Sequence, residues 1–101
     1  MGFADNLAGL PAVDHLARVE LLEGDTVVAV IENRPGSAGS VRVYAWLAQR
    51  FGCIDAVAAA EGLRLYAEHS EDARSHPGKH PNIDRLLELG DKVLMVRGVA
   101  A

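Results

Sequence analysis

The chain has 101 residues, 50% of them apolar and 24% charged, with a formal net charge of −4. That length suits one domain with a modest core, and that balance excludes a disordered chain. Acids and bases are interleaved without a long basic run, which argues against nucleic acid as a partner, and the apolar runs are too short to cross a membrane.

The N-terminal stretch "MGFADNLAGLPAVDHL" lacks the basic start and long apolar centre of a secretory signal. Asn6 stands where a myristoylation signal needs a hydroxyl. "ADNLAGL" allows a helical turn or two, stopped by Gly9 and Pro11. Next comes a hairpin. Ala17, Val19 and Leu21 alternate with Arg18, Glu20 and Leu22. Gly24-Asp25 is a two-residue turn, and Val27 to Ile31 is a β-branched run. An unbroken apolar run of this kind predicts a second strand buried on both faces.

"RPGSAGS" breaks regular structure, and Ser37 or Ser40 can cap the helix that follows. That helix is expected over about Ser40 to Phe51, with Tyr44, Leu47, Ala48 and Phe51 on its apolar face and Gly52 at its end. Trp46 lies off that face beside Gln49 and Arg50, as a partner interface would place it. The only cysteine, Cys53, excludes an internal disulfide and a Cys-based zinc site and fits a cytoplasmic address. It reads as a small buried apolar residue.

From Asp55 to the residues before Pro77 the alanine-rich sequence predicts one long helix. Ile54, Ala58, Gly62, Leu65, His69 and Asp72 would form its stripe. A short third helix opens at Pro81, with His80 before it and Asp84 in its first turn, and Gly90 closes it. "KVLMVRGV" is a last strand. The expected fold is α+β: a small sheet made of the N-terminal hairpin and the C-terminal strand, packed against about three helices. Open edges in so small a sheet would favour pairing into a homodimer.

The segment "EHSEDARSHPGKHPNIDR" carries three of the four histidines. "LYAEHSEDARSHPGKHPNIDRLLE", with "RVYAWLAQRFGCIDAVAAAEGL" before it, resembles a family of bacterial proteins of about this length catalogued as domain of unknown function 2322. The resemblance spans nearly the whole chain. It implies a bacterial source and a single domain, and it implies no activity.

Three readings of the histidine segment stand side by side. As a divalent-metal site, such as one for zinc, it would use His69, Asp72, His76 and His80. On a helix, His69 and Asp72 are three apart and Asp72 and His76 four apart, so each pair shares a face. His69 and His76 are about 10.5 Å apart along the axis, so Asp72 would be the central ligand. The spacing matches no strong zinc motif. As an anion site it would use Lys79, His80 and Arg85 around the start of the third helix. "PGSAGS", with Arg42 in the next turn, is like a phosphate loop in composition alone and lacks the lysine of one. As a polar turn, the same charges would pair on solvated faces with little effect on stability. A histidine here could serve as a general acid or base, but no nucleophile pairs with it, so no reaction follows. The alternative function is a non-catalytic dimeric module using Trp46 and a sheet edge.

Overall fold

The computed structural model describes residues 2–101. It contains a three-stranded antiparallel sheet and five helices, in the order α1 (Phe3–Ala8), β1 (Leu16–Glu23), β2 (Thr26–Glu32), α2 (Ala38–Phe51), α3 (Ala56–Tyr66), α4 (Glu68–Ser75), α5 (Pro81–Leu87) and β3 (Met95–Ala100). The strand order is β2-β1-β3. The expected α+β class therefore holds, with the C-terminal strand added to the free side of β1 and five helices where about three were expected.

The Gly24-Asp25 turn sets the hairpin register, pairing Val19 with Ile31 and Leu21 with Ala29 on one face. Val19, Leu21 and Ile31 are buried, and α2 packs on all three strands. Val41, Val43, Tyr44 and Leu47 of α2 are wholly inaccessible. Behind α2, Gly62 lets α3 come close: a Cβ there would lie 2.8 Å from Leu86 Cδ1 and 2.9 Å from Leu47 Cδ1. Among the described residues no helix is long and apolar enough to cross a membrane.

Two expectations need correction. β2 is not buried on both faces: it is an edge strand, and Val27, Val28 and Val30 are 41%, 47% and 46% exposed. An apolar run looks the same whether one or two layers cover it. Here Val30 lies beside Glu20, and Leu22 lies between Val27 and Met95, on the uncovered face. A bulge between Leu21 and Leu22 places Val28 outside the regular pairing.

The long helix is also two helices. Ile54 is not part of either, since it bridges to Leu94 as an isolated β-pair. Asp55 caps α3, its carboxylate accepting from the Ala58 N–H at 2.9 Å. At Ala67 the chain turns through φ +52° and ψ −118°, the conformation of the first central residue in a type II′ turn, where glycine is preferred. Buried Ser70 stabilises the break by donating its hydroxyl to Leu63 O at 2.6 Å. Nothing in the local sequence marks it, because the side chains that hold it act through the fold.

Backbone strain at Ala67 gives a direct test. A non-glycine residue in this region costs on the order of 1–3 kcal/mol, which glycine's greater unfolded-state freedom offsets only in part. Ala67→Gly should raise stability by about 1 kcal/mol in urea unfolding. A loss of stability would show that the turn is not strained at this position.

Candidate functional site

α4 and α5 are joined by residues 76–80, and Asp72 of α4 holds that connection closed. Its Oδ2 accepts from His80 Nε2 at 2.6 Å and from Lys79 Nζ at 2.9 Å, while His76 Nδ1 lies 3.1 Å from Oδ1. A carboxylate only accepts, so His80 donates from Nε2. The His80 bond first, and the Lys79 bond second, hold the Asp72 carboxyl well below the usual carboxylate range. Asp84 braces the same turn, accepting from the Gly78 N–H at 2.9 Å. Gly78 has φ +93°, a conformation a side chain would oppose.

α1 reaches the site from the other end of the chain. The Phe3 N–H donates to Glu68 Oε1 at 2.8 Å, and Asn6 Nδ2 donates to Leu65 O at 3.0 Å. Both acceptors flank the Ala67 break, so the kink is also the dock for α1. The Phe3 ring stacks on Tyr66 at 5.2 Å and meets His69 edge-on at 5.0 Å. The His69 and His80 rings are 5.8 Å apart.

Between these elements and the start of α2 lies a cavity of about 460 Å³, within the range of small-ligand sites. Phe3, Leu7 and Ile83 make its lining partly apolar, Gly36, Ala38 and Gly39 bring backbone to its surface, and Ser40, Tyr66, His69, Lys79 and His80 supply polar groups. The Tyr66 hydroxyl donates to Ser40 Oγ at 2.7 Å, which leaves the serine's own proton free to donate. Burial pushes the Tyr66 hydroxyl up, so it remains a neutral donor. No side chain caps the start of α2; the Ser37 and Ala38 N–H groups donate to Arg34 O, which leaves those of Gly39 and Ser40 for a ligand.

The structure thus gathers part of what the sequence marked. His69, Lys79 and His80 share the cavity. Asp72 stands behind them and ties His76, Lys79 and His80 together, with His76 on the exposed side. Among the described residues, no group of three or more His, Cys, Asp or Glu is arranged to hold a metal ion. Arg85 is directed elsewhere, donating to Asn82 Oδ1 at 2.8 Å and to the Tyr44 hydroxyl at 3.2 Å. Arg42 donates to the carbonyls of Leu10 and Pro11. Trp46 is half-buried against the core and shares a separate depression with His15 and Pro11. Sequence reasoning missed Phe3, Ser40 and Tyr66 as parts of the site. Only the fold brings them together, and their residue types carried no signal of it.

A family model described as an uncharacterized protein conserved in bacteria (DUF2322) matches residues 3–97. No curated protein and no solved structure matches the chain.

The depressed Asp72 carboxyl predicts acid sensitivity with a definite sign. Its contribution to stability is fully present above the ordinary carboxylate range and is lost as pH falls through that range toward the lower folded value. Urea unfolding from about pH 6 to about pH 2 should show Asp72→Asn less stable than the parent at the upper end, with the gap narrowing on acidification. Parallel profiles would show that the carboxylate's charge does not hold the turn.

Proposed function

On the premise that the chain belongs to this uncharacterized bacterial family, DUF2322, we propose that it binds a small anionic ligand in the cavity between α1, α2 and the α4–α5 connection. The observation that carries this reading is the convergence of Lys79, His80 and His69 on the lining where the uncapped start of α2 also lies. An ammonium has three donors, and Asp72 takes one from Lys79. The other two, the Ser40 hydroxyl and the Gly39 and Ser40 amides at the start of α2 are donors that suit a carboxylate or phosphate oxygen. The helix dipole adds to the attraction. A metal ion at Asp72 would have to compete with the Lys79 ammonium on Oδ2, which favours the anion reading over the metal one.

Isothermal titration with inorganic phosphate and with acetate tests this. Saturable binding is expected for at least one of them in the parent, weakened at least about tenfold in Lys79→Ala, the loss expected for one charged hydrogen bond. Binding equal in parent and variant, or none at all, would sink the proposal.

A second reading rests on the sheet. The uncovered face carries Leu22, Val27, Val30 and Met95 around the Glu20–Arg97 ion pair, and β2 and β3 are both edges. A second copy of the chain would cover this surface and remove an edge. Sedimentation equilibrium should then give a mass rising with concentration toward twice the 10.8 kDa of the chain, and Val30→Lys with Met95→Lys should hold it at one chain. A parent that stays at one chain at millimolar concentration would exclude the homodimer.

A further inference from the structure

The lining of the cavity has a feature that charge does not explain. Tyr66, Phe3, His69 and His80 form a continuous ladder of rings, with centroid separations of 5.2, 5.0 and 5.8 Å. The first pair is stacked at 21° and the second is edge-on at 87°. All four residues line the cavity. The chain has two Phe, two Tyr and one Trp, so two of its few aromatic side chains and two of its four histidines sit on one ligand-sized space. Tyr66 is buried, but Phe3, His69 and His80 are only partly so, and ring surface is therefore left for a ligand.

A flat ring extends such a ladder by an offset or edge-on contact at about 4.5–7 Å. A flexible aliphatic chain gains no comparable orientation. Charge narrows the anionic end. The cavity holds one ammonium, and Asp72 already shares it. That matches the single negative charge of a carboxylate better than the nearly double charge of a phosphate monoester. The hydroxyl pair Tyr66–Ser40 supplies a neutral donor for the second carboxylate oxygen.

We propose that the ligand of this cavity is an aryl carboxylate, its ring against Phe3 and His69 and its carboxylate toward Lys79 and Ser40. The proposal rests on the anion-binding reading and adds to it the class of the group that bears the charge.

Titration of the whole chain with benzoate, cyclohexanecarboxylate, benzyl alcohol and acetate tests both layers. Benzoate and cyclohexanecarboxylate share charge and approximate size and differ in flatness. Benzoate is expected to bind about three- to tenfold more tightly, the advantage typical of an aromatic pair. Its ring protons should shift upfield in the NMR spectrum on binding and show contacts to the Phe3 ring. Phe3→Leu should remove the preference for benzoate over cyclohexanecarboxylate. His69→Gln, which keeps a polar side chain on α4, should reduce the preference even if Phe3→Leu loosens α1. Equal affinities for benzoate and cyclohexanecarboxylate, with Lys79 still required, would overturn the aryl class and leave the anion site standing. Benzyl alcohol binding as tightly as benzoate would overturn both. The absence of binding by all four would overturn the aryl carboxylate, and would overturn the anion site as well where inorganic phosphate also fails to bind.

Discussion

One carboxylate organises this end of the molecule. Asp72 takes donors from His80 and Lys79, with His76 Nδ1 close to its other oxygen, and those three residues belong to the connection that must reverse the chain between α4 and α5. Pro77 and Gly78 allow the reversal, and Asp84 accepts the Gly78 N–H from the far side. With both ends of the turn held by carboxylates, His80 and Lys79 cannot swing freely into solvent. Of the pairs that a polar turn would use, Asp72 with Lys79 is present, while Arg85 turns to Asn82 and Tyr44 instead. The Asp72 bonds also orient Lys79 and His80, two of the cavity's polar side chains.

The break at Ala67 does the corresponding work on the other side. A straight helix from Asp55 to His76 would carry His69 onward along the axis of α3. The turn at Ala67 redirects α4, exposes Leu65 O to Asn6, and sets Glu68 under the N–H of Phe3. No residue of α1 is fully buried, so this short helix is held by those two bonds and by Phe3 and Leu7, which pack on the core. Strain at one residue, a buried serine hydroxyl and a surface carboxylate thus together build the lining that carries the rings. Backbone strain maintained by surrounding contacts is a common mark of functional positions, and here it lies beside the cavity.

How much of this was legible follows from which interactions are local. The hairpin could be read because Gly24-Asp25 and the alternation before it act within a few residues. The end of α2 at Gly52, the cap at Asp55 and the start of α5 at Pro81 are equally local. The Ala67 break was hidden because alanine has the highest helix propensity, and the forces against the helix come from Ser70 and from α1. The exposure of β2 was hidden because three strands and a chain of this length leave no layer for the second face. In the site, His69, Lys79 and His80 were marked by their density in sequence. Phe3, Ser40 and Tyr66 are separated from them in the chain, and one-dimensional spacing has no means of joining residue 3 to residue 66.

The two surfaces proposed to take a partner differ in physical character. The outer sheet face sets exposed valines and a methionine around the Glu20–Arg97 ion pair and lies close to a free edge, so a partner there would gain mainly from removing valine and methionine from water. The cavity has donors fixed by a second tier of contacts: Asp72 behind Lys79 and His80, and Tyr66 behind Ser40. Donors fixed in advance lose little freedom when a ligand arrives, and that is what gives a small site affinity beyond its area. A turn needed only to reverse the chain would have no use for an adjoining ring ladder or for a hydroxyl relay across α2 and α3. The ladder and relay lie with Lys79 and His80 around a single space, so the case for a ligand rests on their conjunction rather than on the histidines alone.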